Sequence, residues 1–230
     1  LMPETNKEKG CEQGKEFWPA IKQYASFLKH RQCMTFSFIY GMAFSGFIAY
    51  MTVSSWLWIH IVGIKASAYP FYFALNAIGF GVSGVFTAWL GKRGVPQRTI
   101  LSAALIMIAA CGVAMYGLFA MQIIGVWSIV PPMIMVSFGV TMAIAASMSF
   151  ILVPFPDCAA QATAFAQCMS MVLCSVVGSL TADWFAHSIY ALPATIIITS
   201  VAGLVVLGTY QEDAVTQSAN QPEAVAPASS

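Results

Sequence analysis

Thr99–Met121 reads TILSAALIMIAACGVAMYGLFAM, an unbroken run without a formal charge. As a helix rising 1.5 Å per residue it extends about 34 Å, enough to cross a hydrocarbon core of roughly 30 Å. Only scattered hydroxyls interrupt it, so no polar face is available for water. Runs of the same kind lie on both sides: Cys33–Trp58 and Pro70–Leu90 before it, then Val126–Val153, Cys158–Ala182 and Ile189–Tyr210 after it. None alternates polar and apolar residues at the period of a membrane barrel. The sequence predicts an all-α membrane protein with six transmembrane helices.

Composition agrees. The chain is 59% hydrophobic and 8% charged, against about 25% charged in soluble proteins, too few charges to cover a surface facing water. Between Gln32 and Gly208 the charges are Lys65, Lys92, Arg93, Arg98, Asp157 and Asp183, all at or near breaks between apolar runs. That placement fits insertion, because a charge at mid-depth costs about 2.5–3.5 kcal/mol. A net charge of +1 gives no reason to expect a nucleic-acid partner. The six cysteines form no CxxC pair and read as small hydrophobes, not as a disulfide framework or zinc site.

Nine of the ten basic residues fall before the first span (Lys7, Lys9, Lys15, Lys22, Lys29, Arg31) or between the second and third (Lys92, Arg93, Arg98); Lys65 is alone on the other side. By the positive-inside rule both termini of this segment are expected in the cytoplasm. Trp56, Trp58, Tyr69 and Tyr72 surround the first outer loop, where an interfacial aromatic belt belongs. Residues 1–32 are expected to form a cytoplasmic connector, without a secretory signal peptide. Within it Phe17, Ile21, Tyr24 and Leu28 mark an amphipathic surface helix over 17–31. Residues 33–210 form the bundle, and 211–230, rich in Ala, Ser, Pro and Gln, are expected to be a disordered cytoplasmic tail.

Small and polar residues recur at helical spacing within the spans. The fifth carries Thr163, Gln167, Ser170, Cys174, Gly178 and Thr181; the second Asn76, Gly79, Ser83 and Thr87; the first Ser37, Gly41, Ser45 and Thr52. The fourth has Ser137 and Thr141, with Ser147 and Ser149 beyond. The expectation is that the first, second, fourth and fifth helices line an interior or cavity while the third and sixth face lipid. The competing reading is ordinary close packing, for which Gly, Ser and Thr are equally suited. Asn76 and Gln167 stand apart because a full amide in lipid needs partners.

Five stretches resemble the second half of the major facilitator superfamily, in particular its Bcr/CflA-type drug resistance transporters. They are Met2-Pro3-Glu4-Thr5; YASFLKHRQCM over 24–34; Phe73-Ala74-Leu75-Asn76-Ala77-Ile78-Gly79; GKRGVPQR over 91–98; and Pro154-Phe155-Pro156 followed by Ala159-Ala160 and Ala162-Thr163-Ala164. The chain departs from that pattern at Val153, where the family has Glu, at Ala145-Ala146, where it has Pro-Asn, at Ala160, where it has Gly, and at Gly91, where it has an acid. The resemblance implies the C-terminal six-helix half of a major facilitator fold, a 3+3 inverted repeat, in the bacterial inner membrane. It further implies proton-coupled drug efflux by alternating access against an N-terminal six-helix half, with no cofactor beyond the proton gradient. A metabolite carrier of the superfamily and a free-standing or truncated six-helix protein are the alternatives. The expected partners are membrane lipid and a small lipophilic solute.

Candidate solute-lining residues are Tyr40, Phe44, Asn76, Ser147 and Gln167. Lys92, Arg93 and Arg98 read either as a cytoplasmic gate or as topology signals. Catalysis is not expected. Gly81-Val82-Ser83-Gly84 matches the GxSG of rhomboid proteases, but Ser83 lies about 20 Å from the outer face where His60 and His187 sit, too far for either to take its proton. Asp183 and His187, at i and i+4, read as a helix-end cap in preference to a metal or proton site.

Overall fold

The computed structural model describes residues 27, 30–65, 67–123, 125–155 and 158–220. Among them are six long helices and no strand. Helix α1 is Arg31–Trp56 and runs into a π-helical turn, Leu57–Ile61; α2 is Tyr69–Lys92, α3 Gln97–Ala120, α4 Val126–Leu152, α5 Ala159–Phe185 and α6 Ala191–Asn220. All six are long and apolar enough to cross a membrane, α6 over Ala191–Tyr210. In hydrocarbon every backbone N–H and C=O must be satisfied within the protein, and a continuous helix does this segment by segment.

The ends have local causes. Gly94 adopts φ +74° after α2, its N–H bonded to the Gly91 carbonyl and that of Val95 to Leu90. That double bond around a left-handed residue is a Schellman termination, which a side chain with Cβ would oppose. Pro96 then precedes α3. Helix α6 runs to Asn220, so the first ten residues of the expected tail continue as helix; with no Gly or Pro between Thr209 and Asn220, nothing in the chain stops it. The amphipathic segment expected over 17–31 lies, apart from Phe27, His30 and Arg31, outside the described residues, as do 221–230.

Helices α4, α3, α6 and α1 pack in a closed ring, each against the next, with α1 and α4 also in contact. Helix α5 lies along α1, and α2 lies along α4. The second and fifth spans are therefore the least buried and the first the most.

The expected division into four interior and two lipid-facing helices does not describe this packing. Helices α3 and α6 are structural members of the ring and pack on each other. The stripe Asn76, Gly79, Ser83 and Thr87 comprises all the buried residues of α2, pressed onto α4 rather than turned to a water path. In α5, Ser170, Cys174, Gly178 and Thr181 are buried as well, while Thr163 is exposed. The reason is local chemistry. Thr87 donates to the Ser83 carbonyl at 2.8 Å, Thr141 to Ser137 at 3.0 Å and Thr181 to Val177 at 2.7 Å. These hydroxyls are satisfied by the preceding turn of their own helix and leave a small side chain suited to close approach.

The cysteines divide too. Cys33, Cys111, Cys168 and Cys174 are free thiols within helices. Cys158 is disulfide-bonded, a correction to its reading as a small hydrophobe; it is the N-cap of α5 and packs half-buried against the core.

Candidate functional site

Tyr40, Phe44 and Phe47 follow one another at i, i+4 and i+7 and form one face of α1. Tyr40 and Phe44 are nearly parallel, planes 11° apart and centroids 6.2 Å apart. Phe47 continues the row at 6.5 Å and meets Phe80 of α2 edge-on at 4.7 Å. From the other flank, Gln167 of α5 accepts the Tyr40 hydroxyl proton through Oε1 at 2.5 Å. Tyr40 is 3% exposed; Phe44 and Phe80 are half-buried and Gln167 is exposed. The three helices thus place an amide beside a row of rings on the side of α1 flanked by α5 and α2. Sequence reasoning named Tyr40, Phe44 and Gln167 but missed Phe47 and Phe80; the 40–44–47 spacing was the available signal for the former.

Asn76 and Ser147 do not join this group. Asn76 is 2% exposed, donates through Nδ2 to the Tyr72 carbonyl at 3.3 Å and accepts from Ser137 through Oδ1 at 3.2 Å. Both amide ends are thereby occupied inside the α2–α4 contact, which is why this residue packs and does not line a cavity. Ser147 is fully buried on α4, its hydroxyl without a hydrogen-bond partner. Helix packing encloses it too.

Of the basic residues, Lys92 and Arg93 are exposed, and the Arg93 guanidinium lies 3.8 Å from the centre of the Trp89 ring. Arg98 is half-buried, with a buried Nη2 that has no partner. Arg93 engages the aromatic end of its own helix, a cation–π contact. Trp89 belongs with Gly81, Val82, Val85 and Phe86 to a shallow apolar recess of about 470 Å³ on the outer face of α2. The recess is lined by apolar side chains and one helix, with nothing to orient a polar solute.

Ser83 is fully buried and donates to the Phe138 carbonyl of α4 at 2.6 Å. Its proton is committed to a backbone acceptor, and Gly81 and Gly84 face open space. His187 donates from Nδ1 to the Asp183 carbonyl at 3.0 Å, so the pair closes the end of α5 through the backbone, the arrangement of a cap.

The aromatic belt is only partly a surface feature. Trp56 is 51% exposed, but Trp58 is 1% exposed, its indole N–H bonded to the Tyr50 hydroxyl at 3.1 Å. An indole with its donor satisfied inside the bundle gains more from packing than from the headgroup region.

Six apolar helices whose polar side chains are bonded chiefly to backbone carbonyls define a multi-pass membrane protein. No family model matches the chain, and no curated protein or solved structure matches it either.

Proposed function

We propose that this bundle is the C-terminal half of a secondary active transporter, a proton-coupled drug efflux antiporter of the major facilitator type in the bacterial inner membrane. The observation that carries the reading is the Gln167 amide held by the Tyr40 phenol beside the Phe44–Phe47–Phe80 row. Solute sites of this chemistry are mostly apolar and aromatic, with a few fixed polar groups that set orientation. Here the row supplies the apolar wall and Gln167 the polar group.

The packing supports a 3+3 inverted repeat. Exchanging α1 with α4, α2 with α5 and α3 with α6 turns α1–α5 into α4–α2 and α3–α4 into α6–α1, and leaves α3–α6 and α1–α4 unchanged. Every major contact has its counterpart. Three crossings are an odd number, so such repeats have opposite orientation in the membrane, as transporter repeats often do. Alternating access would rock this bundle against an N-terminal bundle around the Tyr40–Gln167 face, with the termini of this segment in the cytoplasm. Energy would come from the proton gradient and no cofactor would be needed. The described spans place no carboxylate at mid-depth, so the coupling group is assigned to the other half.

The test is expression of the full-length gene in an efflux-deficient bacterium. Accumulation of a panel of neutral lipophilic antibiotics should fall, and a protonophore should restore it. Unchanged accumulation across the panel would end the efflux reading. A second reading, a free-standing six-helix protein without transport activity, is favoured by one observation: Asn76, Ser83 and Ser137 are all satisfied inside the bundle. A gene without further spans upstream and a stable isolated bundle would favour it.

A further inference from the structure

We propose that Tyr40 and Gln167 form a hydrogen-bonding subsite for an oxygen acceptor of a neutral, flat aromatic solute, which lies along Phe44 and Phe80. The inference rests on the carrier reading above and names the chemistry of its solute. Gln167 is eight residues into α5, about 12 Å along the helix and well inside the span. Its Oε1 is taken by the Tyr40 hydroxyl, which also fixes the orientation of the amide. The two protons on Nε2 have no acceptor among the described residues, yet the side chain is exposed. On the carrier reading this face borders the solute path and not acyl chains, so in the empty site water alone serves as the acceptor.

An incoming carbonyl, nitro or ether oxygen supplies what Nε2 lacks. A cation does not, since it would face two N–H dipoles positive end first. An anion finds no countercharge, because the charged residues of α1 and α5 are Arg31, at one helix end, and Asp183, at the other. The rings select the rest of the molecule. Tyr40, Phe44 and Phe47 are nearly parallel, and Phe80 meets the row at right angles, 76° from Phe47. Tyr40 and Phe47 are 3% and 4% exposed, so the half-buried Phe44 and Phe80 are the rings left to meet a flat aromatic solute.

The test compares 1-acetylnaphthalene, which carries an acceptor oxygen, with 1-ethylnaphthalene, which has similar size and none. Binding is measured by equilibrium dialysis against the full-length protein in lipid nanodiscs, after subtraction of empty discs. The ketone should bind saturably and about five- to tenfold more tightly, the value of one neutral hydrogen bond. Gln167→Leu and Gln167→Met should abolish the preference while holding 1-ethylnaphthalene within about twofold of wild type. Both put an apolar side chain at an already exposed position, so folding should survive. Tyr40→Phe frees Oε1 and should reduce the preference without removing it. Equal, saturable binding of the two compounds by wild type overturns the subsite and leaves the aromatic site standing. So does a preference that persists in both Gln167 variants. Failure of both compounds to bind saturably removes the solute site itself, and with it the observation on which the carrier reading stands.

Discussion

Trp58 lies flat against Tyr72, ring centroids 5.1 Å apart and planes 9° apart. The contact joins the π-helical turn after α1 to the first turn of α2. It is the centre of a wider set: Trp58 donates to Tyr50, Ser54 and Tyr69 share a hydrogen bond of 2.9 Å, and the Tyr72 carbonyl accepts from Asn76. Helix α2 otherwise leans mainly on α4, so this outer cluster is its main polar tie to α1. Single π-type turns are rare and are commonly kept for a purpose; here the turn carries the tryptophan that closes the cluster.

Trp58→Phe keeps an aromatic ring against Tyr72 but leaves the fully buried Tyr50 hydroxyl without its indole donor. Stability should fall by about 1 kcal/mol. Trp58→Ala also removes the ring, and the cost should rise to roughly 3–5 kcal/mol. Reversible unfolding in mixed detergent–SDS micelles measures both. Equal losses for the two variants would contradict the stacked geometry.

Glycines separate the closed face of the bundle from its open one. A Cβ on Gly139 of α4 would stand 2.7 Å from Ile108 Cγ1 and 3.2 Å from the Ala104 carbonyl oxygen. The backbone of α3 cannot easily yield there, so Gly139→Ala should destabilise by about 1–3 kcal/mol. On α2, nothing lies within 4 Å of a Cβ added to Gly81 or Gly84. Gly81→Ala and Gly84→Ala should be neutral or stabilising, by up to about 1 kcal/mol from helix propensity. The same unfolding assay ranks all three. A costly Gly81→Ala would mean that the outer face of α2 is covered in the membrane.

The Asn76–Ser137 bond between α2 and α4 is suited to a double-mutant cycle. Ser137 also donates to the Met133 carbonyl at 2.8 Å, so it keeps a partner when Asn76 is lost. The coupling between Asn76→Ala and Ser137→Ala should therefore be modest, about 0.6 kcal/mol, the typical value for interhelical bonds in a bilayer. A coupling near zero would place the amide elsewhere.

The helices were legible in the sequence for one physical reason: a bilayer tolerates almost no charge, so charges lie only at or near the breaks, although the break between Ala120 and Val126 carries none. The run expected over 70–90 is Tyr69–Lys92, and the one expected over 99–121 is Gln97–Ala120. Periodicity also showed which residues share a face, and all four residues of the Asn76–Thr87 stripe are buried together. It did not show what that face meets. A hydroxyl that bonds back to its own helix and one that awaits water look identical in a sequence, and Asn76 and Gln167, both amides among small residues, met opposite fates. Asn76 found Ser137 and the Tyr72 carbonyl, whereas Gln167 found only one partner for one of its two ends. The π turn was illegible because its extra residue per turn carries no compositional mark in LWIHI. Phe80 was illegible because its contact with Phe47 is made between helices.

Chemical labelling of cysteines turns that contrast into a last prediction. Among the native thiols, Cys33 and Cys174 are buried, at 0% and 3% exposed, and Cys168 is exposed on α5. N-phenylmaleimide, which partitions into the bilayer, should modify Cys168 quickly and the other two only on unfolding. In a cysteine-free background, cysteine at position 76 or 147 should resist both this reagent and a membrane-impermeant maleimide, because helix packing encloses both sites. Cysteine at position 167 is the informative case. If the Tyr40–Phe44 row borders a water-filled path, the impermeant reagent reaches it in the full-length protein and 1-acetylnaphthalene slows the reaction. Modification at 167 by the lipid-soluble reagent alone would place that face against acyl chains, and the transport reading would lose the feature that carries it.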